Sequence, residues 1–127
     1  MMSASELPES RKKILHISTR DELRPIRDEV LRLSGFQIQS TSSYEEGLNL
    51  VNKLRYDLVL VDVEGEDSVN SAERLCSEIK TRKHGPLVAF VCNWRVAVLT
   101  DCPDEILRTE FDPAAFVDGV RKTLLEV

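Results

Sequence analysis

The stretch DLVLVDVEGED, residues 57–67, decides how this chain folds. Its four consecutive apolar residues, 58–61, end in a carboxylate at Asp62. An apolar run of this length without alternation is typical of a central strand that is covered on both faces of a parallel sheet. In open α/β sheets, ligands bind outside the carboxyl ends of the strands. Asp62 is therefore the first candidate for a functional residue.

Strand and helix patterns alternate along the rest of the chain. Short apolar runs within 13–18, 36–40, 86–92 and 105–111 predict four further strands, and helical periodicity predicts helices over 21–34 and 68–83, after Ser43 and after Asp112. A short or irregular helix is expected between 93 and 104. Because short links with right-handed crossovers join these elements, they predict an α/β fold with a doubly wound, five-stranded parallel sheet and helices on both faces.

Residues at the helix ends support these assignments. Ser43 and Glu46 fit a capping box, and Asp112 followed by Pro113 fits an N-cap with proline at the first helical position. Gly35 follows the first helix, where glycine commonly ends a helix. The apolar spacing predicts that this helix turns four residues toward the sheet: Leu23, Ile26, Val30 and Leu33.

Composition narrows the class of protein. The chain has 127 residues, enough for one domain, and we assign 1–12 to a polar N-terminal tail and 13–127 to the folded domain. Its net charge of −5 argues against a nucleic-acid partner, and no apolar run approaches the ~20 residues that span a membrane. The start lacks an apolar segment, so we expect no signal peptide. The three cysteines form no CxxC pair, so we expect reduced thiols in a cytoplasmic protein.

The chain resembles the receiver domain of two-component response regulators, a flavodoxin-like (CheY-like) module. The resemblance covers about residues 13–126. It is carried by several matching stretches, whose order and spacing are more specific than any one stretch alone. The best-matching pieces are KILHISTRDELRPIRDEVLRLSGF, SYEEGLNLVNKLRYDLVLVD and EFDPAAFVDGVRK. The resemblance implies the strand order 2-1-3-4-5, a bacterial source, and Asp62 at the position of the phosphoacceptor.

The other residues that serve phosphoryl transfer in receivers are replaced here. The acidic pair that helps to hold Mg²⁺ falls on Ser18 and Thr19, and the hydroxyl position falls on Val91. The usual lysine falls on Thr109. Asp62 is the one carboxylate at a standard position of the pocket, which also includes Glu64, whereas Asp21, Glu64 and Glu66 could contribute carboxylates only from other positions. We therefore expect no metal and no other cofactor. If Mg²⁺ binds, as it would in an active receiver, Asp62 and the Glu64 backbone are its expected ligands.

Arg20 suggests what takes the place of the metal. It follows the first strand, in the loop expected to overhang Asp62, where a guanidinium can pair with the carboxylate. We hypothesise that Arg20 or a neighbouring cation neutralises Asp62 permanently. The alternative is that Arg20 points into solvent, as most surface arginines do.

The segment after the fourth strand is the predicted partner surface. In receivers, the fourth helix and the elements after it report the state of the site to partners, and here that region is shortened. The residues expected to bind a protein partner or to join the core are Trp94, Val96, Val98 and Leu99. Cys92 is interpreted as a buried, inert thiol, with a redox sensor as the alternative.

Three functions compete at this point. The first is an atypical, single-domain pseudo-receiver that acts in a phosphorelay as a phosphorylation-independent interaction module; no output domain follows before Val127. The alternative is a genuine phosphoacceptor, modified at Asp62 by a histidine kinase or a phosphotransfer protein. A small-molecule sensor is third, because the chain has no GxGxxG or P-loop motif. We expect no enzymatic turnover; the partner is a histidine kinase or another signalling protein, and a homodimer stays open.

Overall fold

The computed structural model describes residues 11–92, 97–98, 100–108 and 112–125. Within these ranges the five strands are β1 (Lys13–Ile17), β2 (Gln37–Thr41), β3 (Leu58–Val63), β4 (Leu87–Cys92) and β5 (Glu105–Arg108). The helices in the same ranges are α1 (Arg24–Leu33), α2 (Tyr44–Lys53), α3 (Glu66–Lys80) and α4 (Pro113–Leu125). No helix in this described part is long and apolar enough to cross a membrane.

All pairings in the sheet are parallel, and the strand order is β2-β1-β3-β4-β5. The predicted fold and strand order are confirmed. One helix fewer is found in the described residues than the sequence predicts. The missing helix was expected between 93 and 104; residues 97–98 and 100–104 are not helical, and residues 93–96 and 99 lie outside the described ranges. The predicted tail at 1–12 stays a prediction, because residues 1–10 are also outside them.

Strand β3 is covered on both faces, which explains its unbroken apolar run. Val59, Val61 and Val63 face a core formed with α2 and α3, whereas Leu58 and Leu60 face a second core formed with α1 and α4. All six residues of β3 are buried. The sheet therefore has no solvent-exposed face at its centre, and β3 holds the loop after it in a fixed position.

Helix α1 turns a partly different face to the sheet from the one that the sequence predicts. Val30 packs against the core as predicted, but Ile26 and Leu33 are 60% and 79% exposed. Leu31 is buried instead, together with the charged residues Arg27 and Asp28. The prediction was wrong for Ile26 and Leu33 because apolar periodicity treats charged residues as surface residues. Both charges have partners under the helix, described below, and paired charges can be buried.

Side-chain caps mark the starts of α2 and α4, and a glycine follows the end of α1. The Ser43 hydroxyl accepts a hydrogen bond from the backbone N–H of Glu46, and the Asp112 carboxylate accepts from the backbone of residues 114 and 115, as predicted. Gly35 ends α1 with a φ of +102°, a conformation that side chains disfavour. The starts of α2 and α4 and the end of α1 are therefore set by local sequence.

We predict that the observed face of α1, and not its apolar stripe, carries the stability of this helix. Leu31→Ala should lower the free energy of unfolding by about 2–5 kcal/mol, because it removes a fully buried side chain. The matched change Leu33→Ala should alter it by no more than about 0.5 kcal/mol, since Leu33 is largely exposed. Urea denaturation of both variants measures the difference. Equal losses would contradict the observed helix orientation.

Candidate functional site

The site is built around the Asp62 carboxylate, which lies near the carboxyl end of β3 and is only 1% exposed. Arg27, on α1, donates from Nη1 to Asp62 Oδ1 over 3.0 Å. Ser18, directly after β1, donates from Oγ to Asp62 Oδ2 over 2.9 Å. Each carboxylate oxygen therefore has a donor, and a buried charge with such partners avoids most of its desolvation cost.

Arg20 covers the same carboxylate from the loop after β1. Its Nε lies 3.2 Å from Asp62 Oδ2, within ion-pair distance, although the N–H is not aligned for a hydrogen bond. Its Nη2 donates to the backbone oxygen of Glu64 over 3.4 Å, and its backbone N–H donates to Ser18 Oγ. The hypothesised contact between Arg20 and Asp62 is present. Asp62 thus lies between two guanidinium groups.

Two further hydrogen bonds hold the loop that follows Asp62. Thr19 Oγ1 donates to the Glu64 carboxylate over 3.0 Å, and Tyr44 donates from its hydroxyl to the Asp62 backbone oxygen over 3.0 Å. Burial, with the nearby Asp62 charge, raises the pKa of Tyr44 to about 12. Tyr44 therefore stays a neutral donor at physiological pH, and α2 is tied to the end of β3.

The residues at this site do not fit Mg²⁺. Mg²⁺ needs oxygen ligands with free lone pairs in octahedral geometry, commonly one or two carboxylates and several waters. Here the two ligands that the sequence suggested, the Asp62 carboxylate and the Glu64 backbone oxygen, both contact the Arg20 guanidinium. In the part of the chain that the structure describes, no group of three or more His, Cys, Asp or Glu residues is arranged to hold a metal ion.

A second buried pair lies beside the first, on the same face of the sheet. His16, in β1, and Asp28, on α1, are joined by a 2.9 Å contact between Nδ1 and Oδ1. An ionised carboxylate can only accept, so His16 Nδ1 is the donor. Burial raises the pKa of Asp28, but hydrogen bonds from His16 and Ser40, with the charges of His16 and Arg32, outweigh burial and hold it below its ordinary value.

The other predicted site residues are apolar, lie away from Asp62 or fall outside the described ranges. Val91 lies beside Asp62 as its register partner on β4, and its fully buried side chain is part of the core. Val98 packs against the core on the α3 side. Burial raises the pKa of the Cys92 thiol. The predictions for four residues lie outside the described ranges: Trp94, Val96, Leu99 and Thr109.

The sequence analysis missed Arg27, Tyr44 and the pair of His16 with Asp28. The available signal for Arg27 was its position one helical turn before Leu31, which places both on one face of α1. His16 stands within an otherwise apolar strand, and a buried histidine needs a polar partner. Nothing in the local sequence pairs Tyr44 with Asp62, because that contact depends on how α2 packs on the sheet.

Comparison with known proteins places this geometry in a known fold. No family model and no curated protein matches the chain, but solved structures do. The response regulator TrrA from Thermotoga maritima, in complex with Mg²⁺ and BeF, has a TM-score of 0.74 at 22% identity, over 88% of this chain and 98% of that one. This chain has the receiver-domain fold.

Two other structures give the same result. TrrA in complex with the histidine kinase ThkA has a TM-score of 0.73 at 23% identity, covering 89% of this chain and 98% of that one. An orphan response regulator from H. pylori has a TM-score of 0.70 at 20% identity, covering 89% and 96%. At these identities the likeness establishes the CheY-like, flavodoxin-like receiver fold, as the sequence predicted.

We predict that Arg27 contributes more to stability than Arg20 does. Arg27→Ala should lower the free energy of unfolding by about 3 kcal/mol, because both partners are buried and Asp62 would lose the charge on its Oδ1. Arg20→Ala should cost less than about 1 kcal/mol, since its side chain is 30% exposed. Denaturant unfolding of single variants and of pairs with Asp62→Asn measures both effects. The cost of Arg27→Ala should shrink in the Asp62→Asn background, and an unchanged cost would contradict the pairing.

We predict that the pair of His16 and Asp28 makes stability sensitive to acid. Because the folded pKa of Asp28 lies below its ordinary value of 3.8, its contribution is complete above that value and is lost as pH falls through the lower folded pKa. Asp28→Asn should therefore reduce the loss of unfolding free energy between about pH 5 and about pH 2. Asp118→Asn, at an exposed position on α4, is the matched control. Equal acid sensitivity in both variants would contradict this assignment.

Proposed function

We propose that this protein is an atypical receiver that acts in two-component signal transduction as an interaction module whose state does not depend on phosphorylation. One observation carries the proposal: both oxygens of the buried Asp62 carboxylate are already bonded, one by Arg27 and one by Ser18, with Arg20 in ion-pair contact. The carboxylate is held in one arrangement by residues of its own chain.

Attack on phosphorus needs a carboxylate oxygen with a free lone pair, open space for in-line approach, and cations around the transferring oxygens. At Asp62 the cations are spent on the carboxylate itself, and the side chain is almost completely covered. Ser18 supplies a neutral hydroxyl to Asp62 at a position where receivers carry an acid. Val91 is an apolar side chain within the core. The arrangement supports a fixed charge cluster better than a phosphoryl acceptor.

The signalling role is supported by the fold. A regulator of this fold, TrrA, has been solved in complex with a histidine kinase. We propose a protein partner of the same kind, a histidine kinase or another signalling protein in the cytoplasm. We further propose that the chain has no enzymatic turnover and that it binds neither nucleic acid, given its net charge of −5, nor a membrane.

Incubation with acetyl phosphate and Mg²⁺, followed by intact-protein mass spectrometry, tests the proposal. We expect no phosphoryl adduct on the wild-type protein and no change in Trp94 fluorescence. A receiver that retains the acidic pair, treated in the same tube, shows that the donor is active. Beryllofluoride with Mg²⁺ should likewise leave the fluorescence unchanged.

The alternative function, phosphoacceptance at Asp62, predicts the opposite result. A phosphoryl adduct on the wild-type protein that is absent from Asp62→Asn would overturn the proposal. Arg20→Ala tests whether Arg20 is the sole cause of inactivity. If the variant gains an adduct, Arg20 alone blocks the site. If it stays unmodified, the contacts from Arg27 and Ser18, together with the replaced acidic and hydroxyl positions, are sufficient to prevent the chemistry.

A further inference from the structure

Two contacts align residues 100–104, the segment before β5, with one face of α3. The Ser77 hydroxyl and the Cys102 thiol are 3.9 Å apart, and the Lys80 ammonium forms an ion pair with the Asp104 carboxylate. Positions 77 and 80 are one turn apart on the helix, and positions 102 and 104 follow the same direction. Asp104 also accepts a hydrogen bond from the backbone of Val88 in β4, so the segment is attached to both the helix and the sheet.

This alignment brings the second thiol next to Cys102. Cys76 lies one turn before Lys80 on the buried face of α3 and has no exposed surface. Cys102 is half-buried and packs against the core cluster that contains Cys76. Burial, reinforced by the neighbouring Cys102 thiol, raises the pKa of Cys76. The backbone of Cys102 is held by the Thr100 hydroxyl over 3.1 Å.

We propose that Cys76 and Cys102 form a reversible disulfide when the protein reacts with hydrogen peroxide. In the first step the partly exposed Cys102 sulfur attacks the peroxide, the O–O bond breaks, and a sulfenic acid and one water form. In the second step the Cys76 sulfur attacks the Cys102 sulfur, an S–S bond forms, and the hydroxyl leaves as water with the Cys76 proton. The two thiols lose two electrons in total, and the peroxide is reduced to two waters.

The roles of the two cysteines follow from their exposure. Cys102 can be reached from solvent, as a sulfur that reacts with an oxidant must be. Cys76 cannot be reached from solvent, so it does not meet the oxidant directly and acts as the resolving thiol. The cross-link would fasten the segment before β5 to α3. This inference is independent of the proposed function, because it uses none of the residues around Asp62.

Peptide mapping of the full-length, reduced protein after treatment with hydrogen peroxide tests the proposal. We expect a linkage between the peptides that contain Cys76 and Cys102, with the loss of two hydrogens, and its removal by dithiothreitol. Cys92→Ala is the matched control: it removes the third thiol, which is buried, and should form the same linkage. Cys76→Ala and Cys102→Ala should form none, and Cys76→Ala should leave a sulfenic acid at Cys102 that a dimedone probe labels.

Three outcomes would overturn the inference. They are a disulfide that includes Cys92, labelling of Cys76 before Cys102, and oxidation of Cys102 in the wild-type protein without any intramolecular linkage. Should a variant fail to fold, the map of the wild-type protein and of Cys92→Ala still decides between linkage and its absence. Hydrogen exchange of residues 100–104 should slow in the oxidised protein and return on reduction.

Discussion

The structure around the site depends on one constraint: a carboxylate that is almost completely buried must be neutralised. Asp62 meets this constraint with Arg27 on one oxygen and Ser18 on the other, and Arg20 adds a second positive charge. Three separate segments, β1 with its loop, α1 and β3, are therefore joined at one point. A guanidinium is covalently part of the chain, whereas a metal ion can dissociate and a phosphoryl group can be removed by hydrolysis. The positive partners of Asp62 in this structure therefore belong to its own chain.

The same constraint explains the unusual packing of α1. This helix places a charged pair, Arg27 and Asp28, on the sheet and leaves Ile26 and Leu33 exposed. Each charge has a specific partner, and the Arg27 guanidinium also lies 5.6 Å from the Phe116 ring on α4, within the range of a cation–π contact. Buried ion pairs often contribute less net stability than apolar contacts of the same size, but removing one partner of such a pair is costly because it leaves a buried charge uncompensated. The position of Arg27 at the site therefore depends on how α1 packs on the sheet.

On the other face of the sheet, the core formed with α2 and α3 is mainly apolar. The ion pair of Lys80 with Asp104 lies at the edge of this core and attaches the segment before β5 to α3. A fixed charge cluster on one face and a pair of neighbouring thiols on the other can therefore act separately. The contacts of Ser77 with Cys102 and of Lys80 with Asp104 therefore form a second polar cluster, separate from the one at Asp62.

Local sequence alone determined the order of elements, the helix caps at Ser43 and Asp112, the central position of β3 and the parallel sheet, because each depends on neighbouring residues and on apolar periodicity. It also indicated Asp62 and the Arg20 contact. Only the tertiary structure decided which face of α1 is buried, and it alone brought Arg27 to Asp62, Asp28 to His16 and Cys102 to Cys76. Those contacts join residues that are distant along the chain, and a charged side chain looks the same in sequence whether it faces water or a buried partner. A charge is buried only where a partner compensates for its desolvation cost, and that partner is in place only after the chain has folded.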